Sequence, residues 1–395
     1  MPRILLPTNI TIQEYLEKRV SLLRRLPKNV LFRNGYADEF YPYPVLHSKK
    51  EIEKFTHIQQ VLIRAIKHII LNYGADKDIQ KRIPLSKTVL EQIKRISSIP
   101  YEIGGIRPDY IYTKSGIPVI CEINARFMYN GFYMSTYMNS VYSRMYPEYS
   151  SLTGIVNLQK FLKPTRNVLS AVVKGREDGY DIHNLLLDNP EVSLHNTDSI
   201  ERVCKKYKTL YLELHQDELE KNLEIVCTAM TRGVHVINDP RTIFIVHDKR
   251  ILSVLSNVSI MKKYMSKAEC DVLKKHIIPT YIKGVDIDIF VDAKKHKDKF
   301  VAKKSISGKS DGLYIGKDKS DTEWNSVLNK NDTLLQPYVL QKEFKMFNPF
   351  KRSLSTYNLA GVLPIWNDTA YGPGLYRVFS IERCRFVHFI QPLQI

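Results

Sequence analysis

The chain is poor in cysteine, with five in 395 residues, and these are isolated, odd in number and form no C-x-x-C pair. That pattern argues against a disulfide scaffold and a zinc site, and fits a reducing compartment. Long apolar runs are also missing. Met1 to Ile10 holds only a three-residue apolar run, too short for a signal core. The most apolar longer stretch, Val61 to Tyr73, is interrupted by Arg64, Lys67 and His68, so no membrane span is expected. A cytoplasmic setting follows as the expectation. No tract of lysine or arginine alone stands out, although the balance of 59 basic to 41 acidic residues gives a net charge of +18. The surplus favours anionic ligands, from nucleotides and carboxylates to nucleic acid and acidic lipid, without choosing among them. No internal repeat or low-complexity tract is present.

What is present is a globular composition, 44% hydrophobic and 25% charged, in a chain long enough for two or three domains. Thr11 with Glu14 and Ser48 with Glu51 fit the capping box at helix starts. The second opens an amphipathic run through Phe55, Ile58, Val61, Leu62, Ala65 and Ile69, and a further helix is expected over Lys87 to Ser97. Residues 1–160 therefore read as helices leading into a hairpin. From 165 to 245 short apolar strands alternate with helices, which predicts a small doubly wound parallel sheet and hence a Rossmann-like substrate domain. Gly175 and Gly179 lie in its first strand-to-helix turn, where a phosphate cradle or a plain connection would both fit. Residues 246–395 form a third region.

The hairpin is the most informative segment. Tyr110–Thr113 and Ile117–Ile123 are rich in strand formers and flank Ser115-Gly116. A turn centred between those two residues sets Asp109 opposite Glu122 and Arg107 opposite Asn124. Alternation along a strand then puts all four side chains on one face. Opposed carboxylates repel unless a cation lies between them, and two acids with an amide oxygen form a hard, all-oxygen set suited to Mg²⁺. The competing reading is a solvated face with two incidental acids. In the third region a strand delivers Lys303 and Lys304 into a loop from Gly308 to Gly312, and Leu313–Ile315 returns as a strand. Loop amides and a lysine suit a triphosphate, and a basic surface hairpin fits as well. The apolar strand Leu334 to Val339 contains Pro337, which places it at a sheet edge or makes it a crossover.

These motifs together resemble the ATP-grasp superfamily. The acid-plus-E-x-N hairpin precedes the glycine loop, which resembles the circularly permuted branch typified by glutathionylspermidine synthetase. Arg107-Pro108-Asp109 and Glu122-Ile123-Asn124 match its metal motif. The resemblance implies an α/β chain of ATP-grasp-like fold with permuted motifs, binding ATP and Mg²⁺. Asp109, Glu122 and Asn124 would hold metal, and Arg107 would reach the transferred phosphoryl group. Lys303, or its neighbour Lys304, would contact phosphate beneath Gly308 to Gly312. Gln336, Tyr338 and Val339 would border the adenine. Lys249 matches a looser "DK" position, for which a surface lysine is the competing reading. Arg126 would hold phosphate or a substrate carboxylate, and Arg377 sits on a loop with no evident packing duty. Pro108 departs from the family's aromatic, and no amidase or other hydrolase domain is visible. Neither glutathione nor a polyamine is indicated as substrate.

The function implied is an ATP-dependent carboxylate–amine ligase acting on a small carboxylate and an amine. An ATP-grasp-like kinase is the alternative, and a basic nucleic-acid-binding protein the second alternative. A ligase of this kind needs no Ser, Cys or His nucleophile, so His47 and His247 read as ordinary structural or surface residues.

Overall fold

The computed structural model describes residues 2–26, 39–162, 168–306, 312–380 and 386–395. Gly308, in the expected glycine loop, and Cys384 lie outside them. A mixed α/β architecture is built around a large antiparallel sheet. In it Gly105–Tyr112 lies between Ile365–Trp366 and Ser353–Val362, which continues to Tyr376–Ser380 and Phe386–Ile390. Pro118–Asn124 pairs with Gly105–Tyr112 and Phe344–Asn348 with Ser353–Val362. Residues from the first and last regions of the chain therefore share one sheet. A second antiparallel sheet runs Leu313–Ile315, Phe300–Lys304, Thr333–Pro337, Tyr281–Ile282. The third is parallel, in the order Ser193–Asn196, Ser170–Lys174, Thr209–Glu213, His235–Ile237, with helices between its strands. It is the doubly wound sheet expected from the strand–helix alternation.

The long helix Lys49–Asn72 starts where the sequence places it. Glu51 accepts from the Ser48 amide at 3.0 Å, and Ser48 Oγ accepts from the Glu51 amide at 3.4 Å. Its buried stripe includes Phe55, Ile58, Val61, Leu62, Ala65 and Ile69, because 3.6-residue periodicity turns those positions to the core. Replacing Ser48 by Ala should cost about 1 kcal/mol, read as a lower urea midpoint with an unchanged slope.

Thr333–Pro337 departs from the edge expectation, since it has Phe300–Lys304 on one side and Tyr281–Ile282 on the other. The proline is accommodated at the strand's last position. The Tyr338 amide donates to Lys299 at 2.7 Å, so the preceding residue turns its nitrogen the other way. On that side Tyr281–Ile282 pairs only as far as Leu335, and no ladder bond is lost.

Pro108 does not break its strand either. Its carbonyl accepts from Leu363 at 2.9 Å, and it pairs with Ile123. Below the hairpin, Tyr110 and Tyr112 turn to the buried face, and the Tyr112 hydroxyl meets that of Tyr376 at 2.9 Å. His47 joins them through Nε2 at 2.8 Å and is fully buried, so it is structural and not a surface residue. This apolar underside fixes which face the acids occupy.

Candidate active site

The hairpin pairs Asp109 with Glu122 and Arg107 with Asn124. Asp109 is 1% exposed and accepts from Arg107 Nε at 3.0 Å, from Arg107 Nη2 at 3.4 Å and from Arg377 Nη2. The Asn124 amide donates to Asp109 Oδ2 at 3.1 Å and to Glu122 Oε1 at 3.4 Å, bridging the opposed acids. Arg377 is carried by Tyr376–Ser380, two strands away from the hairpin strand Gly105–Tyr112 in the same sheet. It approaches Asp109 because Gly361, on the intervening strand, pairs with both Tyr110 and Tyr376.

A β-bulge at Cys121 shapes this face. Tyr110 pairs with Ile120 and Asp109 with Glu122, leaving Cys121 as the extra residue. Its carbonyl accepts from Lys303 Nζ and from Gln336 Nε2, each at 3.4 Å. Gln336 also donates to Thr280 Oγ1 at 3.0 Å, and the Ile278 amide donates to Ile120 at 3.0 Å. The lysine-bearing sheet is thereby fastened to the hairpin. Of the two candidate lysines, Lys303 reaches the hairpin. Lys304 is turned to the other face by strand alternation, where its side chain lies against Gly312. Gly312 has φ +71°, and an added Cβ there would come within 2.5 Å of Lys304 Cγ, so glycine is required on both grounds.

Lys249 is 6% exposed, with Nζ 4.0 Å from Glu122 Oε2, so the surface reading of this residue is overturned. Its amide donates to Ser305 at 3.1 Å, which ties it to the end of the lysine strand. Tyr338 and Val339 are half-buried at the end of Thr333–Pro337. The Tyr338 hydroxyl accepts from Lys317 at 2.9 Å, and its amide is committed to Lys299.

Arg126 points elsewhere. Its Nη1 donates to His215 Nδ1 at 2.6 Å, and its Nη2 is 4.0 Å from Glu177. It lines a cavity of about 550 Å³ with Leu85, Val89, Phe244 and Ile306, next to the carboxyl ends of the parallel strands. A larger hollow of about 850 Å³ lies along 194–205 and holds none of these residues. His215 and Glu177 were not legible as site residues, since 89 and 51 positions separate them from Arg126 and no motif links them.

Electrostatics follow the contacts. Burial works to raise Glu122, but Lys249, Lys303 and Arg377 hold it well below the usual carboxylate range. Burial raises Asp109, with Arg107 and Arg377 opposing. Burial presses the Lys249 ammonium down against the pull of Glu122. The Cys121 thiol is pushed by burial up to about 11, so no thiolate is available at neutral pH. His247 is driven by burial, then by Arg126 and Lys249, to about 3; the neutral ring accepts from the Ala125 amide at 3.3 Å and supports the chain beside Asn124.

The Gly175–Gly179 turn is a connection and not a phosphate cradle. Its Arg176 amide donates to Glu218 at 2.7 Å and its Gly179 amide to Glu213 at 2.6 Å. Acidic side chains of the chain itself occupy the amides a phosphate would need. Glu213 is 1% exposed, and burial raises it to about 8 from an ordinary 4.5. Between those values the folded state keeps a proton that the unfolded chain releases, so stability falls as pH rises from 4.5 to 8. Glu213→Gln keeps an acceptor for Gly179 and should flatten that slope in melting curves taken across this range.

Two carboxylates and an amide oxygen suit a hard divalent ion, provided the Asn124 amide turns over to present Oδ1. Among the described residues no group of three or more His, Cys, Asp or Glu side chains forms a metal-ligand cluster. Phosphate oxygens would have to complete the shell. The described helices include none long and apolar enough to cross a membrane.

Comparison with known proteins agrees with this architecture. A solved glutathione synthetase-like effector from Globodera pallida, in its apo form, superposes with a TM-score of 0.62 at 11% identity, covering 98% of each chain. The chain therefore shares the fold of this glutathione synthetase-like protein. The sequence model of a family described as the AnkG N-terminal domain matches residues 58–245. No curated protein matches the chain.

Proposed function

We propose that the chain is an ATP-dependent carboxylate–amine ligase. The observation that carries this reading is the pairing of Asp109 with Glu122 across the hairpin, with Asn124 beside them and Lys303 bonded to the same strand. Asp109, Glu122 and Asn124 would hold Mg²⁺, whose charge eases displacement at the γ-phosphorus. Lys303, Lys249, Arg107 and Arg377 would bind and orient the phosphates. Val339 would offer its backbone to the adenine edge, because the Tyr338 amide is already taken.

The chemistry is positioning and charge neutralisation. A carboxylate oxygen of the acid attacks the γ-phosphorus, the bond to the β-phosphate breaks, and ADP leaves. The amine nitrogen then attacks the acyl carbon, phosphate departs, and the amine proton passes to solvent. Arg126, in the cavity beside the parallel sheet, would orient the acid. Burial of Asp109 and Lys249 limits the water that could intercept the acyl phosphate.

The test is incubation with a metabolite pool, Mg²⁺ and ATP in the presence of hydroxylamine. A ligase releases ADP and yields a hydroxamate. ADP release with a stable phosphorylated product and no hydroxamate would identify a kinase on the same metal face.

A further inference from the structure

The charges on the hairpin face do not balance. Among the described residues, Arg107, Lys249, Lys303 and Arg377 contribute four positive charges, and Asp109 and Glu122 two negative ones, a surplus of two. The amide nitrogen of Asn124, donating to both carboxylates, stands where a cation would be needed to relieve their repulsion. Asp109 already accepts from Arg107, Arg377 and Asn124. A divalent ion arriving alone would meet a positive cluster and would have to displace these donors. A triphosphate would meet the opposite field, since its charge is complementary to the surplus. Among the described residues Lys303 bonds a neutral carbonyl at 3.4 Å, a contact a phosphate oxygen would exceed in strength.

Resting on the reading of this face as an ATP site, we propose that it is a triphosphate site that loads before, and without, divalent metal. The phosphates bind first through Lys303, Lys249 and Arg377. Arg377 and the Asn124 amide nitrogen then leave the carboxylates, which frees Asp109 and Glu122 for the ion. The protein's own cations thus serve as the resting counter-charge of the metal ligands, and the order of addition is nucleotide, then metal.

Isothermal titration of the full chain tests this with three probes: MnCl₂ alone, ATP with EDTA, and ATP with Mg²⁺. The expected results are no Mn²⁺ uptake alone and ATP binding in EDTA within about tenfold of its affinity with Mg²⁺. Lys303→Ala should weaken the EDTA binding at least tenfold. Glu122→Gln should leave it intact or tighten it severalfold, because a negative charge is removed. ATP binding that requires Mg²⁺, or Mn²⁺ binding without nucleotide, overturns the proposed order while leaving an ATP site in place. ATP binding in neither condition overturns both this proposal and the ATP reading beneath it.

Discussion

Glu122→Gln should lower ADP release by about 100-fold or more while leaving the fold intact. The side chain keeps its size, and the neighbouring Asn124 amide still finds an acceptor oxygen. What disappears is the charge that Lys249, Lys303 and Arg377 hold ionised. A neutral amide oxygen is a far poorer partner for a hard divalent ion than a carboxylate. The loss should appear in kcat more than in nucleotide affinity, since the phosphate-facing cations are untouched. Parallel assays of wild type and variant on one metabolite pool, with melting temperatures as the control, measure it. Equal turnover would remove Glu122 from any metal role.

Asp109→Ala should be the more damaging change to stability. Asp109 is 1% exposed and is the shared acceptor of Arg107, Arg377 and Asn124. Removing it leaves two guanidinium groups facing each other without their counter-ion. Breaking a buried ion pair in this way costs about 3–5 kcal/mol. The expected result is a melting temperature lower by several degrees or more, with ADP release lost as well. Asp109→Asn, which keeps an oxygen for one arginine, should recover part of the stability and none of the activity. Equal stability of the alanine variant and wild type would show that the arginines do not depend on Asp109.

Much of this was legible in the sequence because it depends on local patterns. The Ser48 capping box, the helical stripe after it and the strand–helix alternation between 165 and 245 each follow from spacing. The pairing of Asp109 with Glu122 was also predicted, but by two offsets that cancel. The turn runs from Thr113 to Ile117, closed by a bond of 2.9 Å, so its centre lies at Ser115 and it pairs Tyr112 with Pro118. That register alone would place Asp109 opposite Cys121. The bulge at Cys121 shifts it by one and restores Glu122. No residue in that stretch announces a bulge, because its cause is tertiary. The freed Cys121 carbonyl holds Lys303 and Gln336, about 180 and 215 positions away.

Other elements failed for similar reasons. At Lys249 the loose "DK" match left a surface lysine as the competing reading, because nothing local reveals that Glu122 will face it. Pro337 read as the mark of an edge strand or a crossover, yet the strand is covered on both sides and only the proline's own nitrogen looks past the end of a short neighbour. The glycines at 175 and 179 were visible as a turn, but the acids that fill it come from Glu213 and Glu218 on a later strand and helix. Long-range partners decide such cases, and a single sequence does not carry them.

Electron paramagnetic resonance of Mn²⁺, added to the full chain together with ATP, reaches the metal ligands most directly. Wild type should show bound Mn²⁺ only when ATP is present, and Glu122→Gln should lose that signal while still binding the nucleotide. An undiminished Mn²⁺ signal in the variant would contradict the account, because the ion would then be held by something other than the paired acids of the hairpin.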